Sequence, residues 1–217
     1  MECSITSTIA DHLRIHRNAR VIRWNARGMG GSDGGNELSG FVEWMGMRNC
    51  GDYKHVLKLV GDFPSARGCY LFVCGYSSGA IYATTIRLSD DLYRQCSQVF
   101  CHPIKYILVS YPIGLAWTLG LGLTGWYFRA LEGLVGGNWE ECSHERPADA
   151  LILMGTNEIG GWYSPASWVY YMWTGVLDGK HRQEQGKFWK VLVDGADHVW
   201  TGMVHRIGEE IEKWMSG

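Results

Sequence analysis

A serine at the centre of Gly75-Tyr76-Ser77-Ser78-Gly79 has the surroundings that most clearly predict chemistry. The motif has the spacing Gly-x-Ser-x-Gly, and it follows an apolar run at residues 69–74 that predicts a buried strand. Residues 80–87 then predict a helix. A serine in so tight a turn has a strained backbone and holds its hydroxyl above the end of the sheet. The hydroxyl is thus placed to attack a carbonyl carbon, with the Ser78 N–H beside it to stabilise an oxyanion.

The two glycines of this motif have a predicted steric role. A Cβ atom at Gly75 or Gly79 is expected to strike the neighbouring strand or helix. A five-residue pattern also arises by chance, so the motif alone does not separate a nucleophile from an ordinary glycine-rich turn.

Two more polar residues come directly after predicted strands. Glu158 lies four residues beyond the strand predicted at 150–154, and His198 follows the strand predicted at 188–193. In an open parallel sheet, reactive groups gather at the carboxyl ends of the strands. We therefore expect Ser77, Glu158 and His198 at one edge of the sheet.

These three residue types suit the steps of acyl transfer. His198 would take the proton from Ser77, and Glu158 would fix the imidazole tautomer and stabilise its positive charge. Asp149 and Asp197 are weaker candidates for the acid. Asp149 precedes its strand, and Asp197 is adjacent to the histidine in sequence.

The rest of the chain predicts the α/β class. Short apolar strands alternate with helices, which indicates a mostly parallel sheet covered on both faces, a three-layer α/β/α sandwich. We predict one domain over residues 1–217, with about 108–145 and 158–178 supplying cap or pocket segments. The remaining predicted strands are 20–24 and 106–110, and the remaining predicted helices are 8–17, 53–60 with Asp52 as its N-cap, 123–134, 165–177 and 204–215.

Composition excludes several classes of function. The net charge is −2 and no long run of like charge occurs, so no nucleic-acid partner is expected. The seven scattered cysteines lack the paired spacings of zinc sites, so no metal is expected, and Cys69 and Cys74 are expected within the buried strand. The start of the chain does not resemble a secretory signal, and a reduced cytoplasmic protein fits best.

Two segments imitate other functions. The glycine-rich residues 25–35 fail the dinucleotide-binding spacing because Asp33 stands where the third glycine belongs, so no cofactor is expected. Residues 106–128 carry no charge and are long enough to span a bilayer. Pro112 and several glycines interrupt them, which favours a buried strand, a loop and a helix over a membrane span.

Together these motifs resemble the α/β-hydrolase superfamily, in which serine, acid and histidine follow in that order. More narrowly, the chain is similar to small hydrolases of the serine-aminopeptidase and dienelactone-hydrolase type. Those have a strand ending like residues 24–32, then Gly-x-Ser-x-Gly, a Gly-x-x-Asp and a late Gly-x-x-His. The last two correspond here to residues 155–158 and 195–198. The resemblance extends from about Thr8 to the end, and implies a serine hydrolase that forms an acyl-enzyme.

The chain departs from that family at two points. Glu158 stands where aspartate is more common. The family also has about three strands before the helix at 8–17, one of which lies between the strand at 20–24 and the nucleophile strand. Either these two strands pair directly, giving about five strands, or an unpaired edge is exposed. The second oxyanion N–H follows the absent strand, so only that of Ser78 is assured. A non-catalytic module with this fold, binding a partner or small ligand, is the alternative function.

The expected substrate is a small acyl compound with an apolar or aromatic group. Carboxylic ester, thioester and peptide-like amide stay open, and no basic cluster predicts a phosphate or carboxylate clamp. A homodimer in which a second copy covers the open edge is compatible with either function. Most aromatic residues of the segments expected over the site are expected to pack in the core or between helices, and the apolar substrate class depends on some of them lining a pocket. They are Trp117, Trp126, Tyr127, Phe128, Trp162, Tyr163, Trp168, Tyr170, Tyr171 and Trp173.

Overall fold

The strands that the structure describes form one four-stranded parallel sheet. The computed structural model describes residues 3–25, 47–63, 69–86, 104–112, 124–136, 149–158 and 188–217. The strands, in sheet order, are β1 (Phe72–Tyr76), β2 (Lys105–Val109), β3 (Asp149–Asn157) and β4 (Phe188–Asp197). The helices are α1 (Ser4–Arg17), α2 (Met47–Gly61), α3 (Ser78–Thr84), α4 (Thr124–Gly136) and α5 (His205–Ser216). The predicted α/β fold class is confirmed.

The two central strands are buried on both faces. Ile107, Leu108, Leu151 and Ile152 have no exposed surface. This is why β2 and β3 are continuous apolar runs instead of alternating ones.

Helices cover both faces of the sheet. On one face Leu108 and Ile152 pack in a core that includes residues of α2, α3 and α4. On the other face Ile107 and Leu151 pack against α1 and α5. Successive side chains of a strand point to opposite faces, so one sheet supplies both cores.

The strand predicted at residues 20–24 does not form. These residues are irregular, and Val21, Ile22 and Trp24 are exposed. Among the described strands, β1 lies at the sheet edge and pairs only with β2, so it does not pair with residues 20–24. A preference for strands is a preference for a pleated, half-buried surface, and Val21, Ile22 and Trp24 do not reach that degree of burial. The first of the two arrangements left open by the sequence is therefore wrong for the described residues.

Helix and strand boundaries also differ from the predictions. α1 begins at Ser4 and α2 at Met47. Asp52 thus lies within α2 and is not its N-cap, and Cys50, two residues before it in the same helix, is buried in the core. β1 begins only at Phe72, which leaves Cys69 exposed ahead of the strand.

The charge-free stretch at residues 106–128 contributes to β2 and to the start of α4. None of the helices that the structure describes is both long enough and apolar enough to cross a bilayer. The helix predicted at 165–177 lies outside the described residues.

Candidate active site

Ser77 occupies the sharp turn between β1 and α3. Its backbone has φ 54° and ψ −126°, a conformation that is strained for a residue with a side chain. The Ser77 N–H donates to the Val109 carbonyl at 3.0 Å, and the Ala80 N–H donates to the Ser77 carbonyl at 2.9 Å. The turn is thus fixed to β2 on one side and to α3 on the other.

The two motif glycines have different surroundings. A Cβ at Gly75 would lie 2.4 Å from the Gly79 carbonyl oxygen and 2.6 Å from Ala80 Cα, so α3 crosses directly over β1 at this position. A Cβ at Gly79 would meet the Tyr53 hydroxyl at 3.7 Å, an ordinary contact. The steric role predicted from sequence holds for Gly75, and no clash supports it for Gly79 among the described residues.

This difference predicts a matched pair of variants. Gly75→Ala should lower the free energy of unfolding by about 3 kcal/mol or more, because it forces backbone apart in a packed core. Gly79→Ala should change it by less than about 1 kcal/mol, since alanine favours helix over glycine. Denaturant unfolding followed by circular dichroism measures both. Equal losses in the two variants would contradict the role assigned to Gly75.

A continuous chain of hydrogen bonds joins three side chains at the carboxyl ends of the strands. His198 Nε2 lies 2.9 Å from Ser77 Oγ, and His198 Nδ1 lies 2.6 Å from Glu158 Oε2. The His198 side chain is 18% exposed and that of Glu158 only 9%, so the pair is largely shielded from water. The structure thus brings together the three residues that the sequence placed at one edge.

Glu158 is positioned by the end of β3. Its second oxygen, Oε1, accepts a hydrogen bond from the Gly155 N–H at 3.3 Å. A Cβ at Gly155 would lie 2.0 Å from the Ala196 carbonyl oxygen, so β3 and β4 approach closely where their register shifts. The residues that follow the two strands, Glu158 and His198, are therefore held side by side.

The other two candidate acids are engaged elsewhere. Asp197 accepts hydrogen bonds from the Thr201 N–H and the Thr201 hydroxyl, both at 2.8 Å. These donors hold the pKa of Asp197 below its usual value. Asp149 pairs with Lys105 at 3.0 Å at the amino ends of β2 and β3, whereas His198 follows the carboxyl end of β4. Of the three acids, Glu158 is the one bonded to His198.

Sequence reasoning missed several residues that hold the site. The Tyr53 hydroxyl lies 3.3 Å from the carbonyl oxygens of both Cys74 and Gly79, and so links β1 to α3 beneath the turn. Burial raises the pKa of Tyr53 far above its usual value, which keeps the hydroxyl a donor. The sequence showed only that Tyr53 lies on a predicted helix before the nucleophile strand. It could not be linked to the motif, because a tyrosine on that helix has no fixed spacing to the nucleophile.

A second missed group surrounds the backbone of His198. The hydroxyls of Tyr76 and Ser110 both donate to its carbonyl oxygen, at 2.9 and 3.3 Å, and Trp200 Nε1 donates to Ser110 Oγ at 2.9 Å. The sequence singled out Tyr76 only as part of the turn. Ser110 did carry a signal, since it is the last residue of the strand predicted at 106–110 and so lies at the same end of the sheet as Ser77.

The described residues offer no metal site. Within them, no group of three or more histidine, cysteine, aspartate or glutamate side chains is arranged to hold an ion. Cys3, Cys50, Cys69 and Cys74 are free thiols. Burial raises the pKa of Cys74 to about 12, so this thiol is not a reactive thiolate.

Comparison of the chain with known proteins identifies its fold. No protein-family profile matches the sequence, and no curated protein does. An α/β serine hydrolase homologue from Coxiella burnetii matches 97% of this chain and 76% of its own length, with a TM-score of 0.57 and 19% identity. A protein of unknown function from Agrobacterium tumefaciens, described as a candidate α/β hydrolase, matches 99% of this chain and 76% of its own, with a TM-score of 0.61 and 17% identity.

A third solved structure agrees with these two. It is an α/β serine hydrolase without a lid from Xanthomonas campestris, which matches 100% of this chain and 74% of its own length at a TM-score of 0.58 and 16% identity. The chain therefore has the α/β-hydrolase fold, as its motifs predicted, and spans about three-quarters of the length of these neighbours. Likeness at such low identity establishes the fold, whereas activity has to be argued from the site.

Proposed function

We propose that the protein is a serine hydrolase that cleaves a carboxylic ester or a related acyl substrate through an acyl-enzyme. The observation that carries this proposal is the unbroken hydrogen-bond chain from Ser77 Oγ through the His198 imidazole to Glu158. A hydroxyl, a base and an acid that orients the base form the arrangement that activates a serine for nucleophilic attack.

The geometry supports a two-stage reaction. His198 Nε2 accepts the Ser77 proton while Oγ attacks the carbonyl carbon, which gives a tetrahedral intermediate. The imidazolium then donates that proton to the leaving oxygen, and the bond from carbon to the leaving group breaks. A water molecule, deprotonated by the same Nε2, then attacks the acyl carbon. The imidazolium returns that proton to Ser77 Oγ as the bond from carbon to Oγ breaks, which releases the acid and free Ser77. Throughout, Glu158 accepts a hydrogen bond from Nδ1 and stabilises the charge on the ring.

The Ser78 N–H is the proposed oxyanion donor. α3 begins at Ser78, directly after the nucleophile, and the N–H groups of a first helical turn have no acceptor within the helix. A site with this donor alone would turn over about 10²–10³-fold more slowly than one with a second donor. A low kcat is therefore consistent with the proposal.

An apolar or aromatic acyl group is the proposed substrate class. It rests on the aromatic content of residues 117–128 and 162–173. Most of these residues lie outside the described part of the chain. Tyr127, on α4, does not support an aromatic substrate, because its side chain is buried in the core between α4 and the sheet.

Covalent labelling tests the proposed function directly. A fluorophosphonate probe, which reacts preferentially with activated serines, should modify the folded protein at Ser77, as located by mass spectrometry of the peptide adduct. Ser77→Ala should abolish labelling, while Ser216→Ala, which removes an exposed hydroxyl at the end of α5, should retain it. A folded protein that remains unlabelled would contradict the hydrolase and favour the non-catalytic binding module.

A further inference from the structure

The carbonyl group of His198 receives two hydroxyl donors from the ends of two neighbouring strands. The Tyr76 hydroxyl, at the end of β1, lies 2.9 Å from this oxygen. The Ser110 hydroxyl, directly after β2, lies 3.3 Å from it. A carbonyl oxygen has two lone pairs, so both donors can be accommodated at once.

Trp200 fixes the direction of the Ser110 hydrogen bond. An indole N–H can only donate, so Ser110 Oγ accepts from Trp200 Nε1 at 2.9 Å. The single hydrogen of the Ser110 hydroxyl is then available to the His198 carbonyl. Ser110 and Trp200 are both completely buried, which makes any unsatisfied polar group among them costly.

The backbone around these contacts is strained. Among the described residues that are not glycine, four have a positive φ, and three of them belong to this region: Ser77 at 54°, Ser110 at 53° and Trp200 at 57°. Such conformations persist where the surrounding structure over-determines them, and they cluster at functional sites. The strain thus coincides with the contacts around His198.

Tyr76 closes a ring of contacts between the nucleophile and the base. It immediately precedes Ser77, its hydroxyl bonds to the His198 backbone, and its aromatic ring lies 5.5 Å from the imidazole at an angle of 35°. The imidazole in turn bonds to Ser77. The His198 backbone therefore cannot move away from the nucleophile turn without breaking the bond to Tyr76.

We propose that Tyr76, Ser110 and Trp200 are positioning residues that hold the backbone of His198, so that its imidazole stays between Ser77 and Glu158 during proton transfer. The catalytic consequence rests on the proposed hydrolase function. Burial raises the pKa of Tyr76 far above its usual value, so its hydroxyl remains a donor at every pH at which the enzyme would operate.

Kinetics of single and double variants test this role. Tyr76→Phe and Ser110→Ala each remove one donor and should lower kcat about 3–10-fold with KM unchanged, because proton transfer depends on sub-ångström placement. With both donors removed the carbonyl is left without a partner, so the double variant should lose more than the product of the single losses. Tyr70→Phe and Ser216→Ala, at exposed positions, are the matched controls. Multiplicative losses, or a rise in KM at constant kcat, would contradict the proposal.

A measurement that needs no turnover separates this proposal from the proposed function. The His198 proton on Nδ1, bonded to Glu158, should give a far-downfield resonance in the proton NMR spectrum, and the folded double variant should broaden or lose it. The wild type could show the resonance and the double variant lose it, while the wild type neither hydrolyses esters nor reacts with the fluorophosphonate. That result would support the positioning role and contradict the proposed hydrolase function. If the double variant keeps the resonance and kcat, the positioning role is wrong. Tyr76→Phe keeps the aromatic ring, and it carries both tests alone if the double variant does not fold.

Discussion

Replacing His198 by alanine is expected to lower kcat for ester hydrolysis by about 10⁶-fold, the loss typical of removing the base from a serine nucleophile. The imidazole Nε2 is 2.9 Å from Ser77 Oγ, and no other histidine is bonded to that hydroxyl in the described residues. KM should change little, because the imidazole acts in proton transfer and not in binding of the acyl group. Steady-state hydrolysis of a short-chain nitrophenyl ester measures both constants.

His205 provides the control for this experiment. It is an exposed histidine at the start of α5, and His205→Ala should retain kcat and fluorophosphonate labelling. Should His198→Ala label at the wild-type rate, the base would have to be a different group and the proposed mechanism would be wrong.

Glu158→Gln is expected to lower kcat by about 10³–10⁴-fold while leaving the fold intact. A carboxylate can only accept from Nδ1, which keeps Nε2 free to take the Ser77 proton. The glutamine amide can instead donate to Nδ1 and so stabilise the tautomer whose Nε2 already carries a hydrogen. Glu158→Asp should show a smaller loss, since it keeps the charge but withdraws it from a contact that is now 2.6 Å long.

The two acids that the sequence left open supply the comparison. Asp149→Asn removes a charge that is paired with Lys105 at the amino ends of β2 and β3, away from His198, and kcat should stay close to wild type. Asp197→Asn retains an oxygen that can accept from Thr201, so its effect should be small as well. A larger loss of kcat for Asp197→Asn than for Glu158→Gln would show that Glu158 is not the acid that orients His198.

The sequence could place the three residues of the candidate site at one end of the sheet because its signals are local. The strained turn at Ser77 could be predicted from five residues between a strand and a helix. The need for glycine at position 75 could be predicted from the same turn. Glu158 and His198 were placed by the rule that parallel strands bring their carboxyl ends to one edge. None of these inferences needed knowledge of which side chains touch across the molecule.

What the sequence did not predict depends on distant partners. Residues 20–24 have the composition of a strand, but strand formation needs a neighbour that composition does not reveal. The bond between Trp200 and Ser110 spans 90 positions, and no spacing rule connects them. Gly79 fits the motif as Gly75 does, and only the packing of α3 over β1 distinguishes the two.

The sequential order of the parallel strands has a consequence for how the chain folds. Each described strand pairs in parallel with the next described strand along the chain, so the chain between them must return from the carboxyl end of one strand to the amino end of the next. Ser77 and His198, which are bonded to each other, are separated by 121 positions in the sequence. Contacts of such high sequence separation form slowly, because loop-closure entropy is lost before they are made. A chain with only its first two strands paired would contain the nucleophile turn without a base. Reactivity at Ser77 would therefore report completion of folding, not its onset.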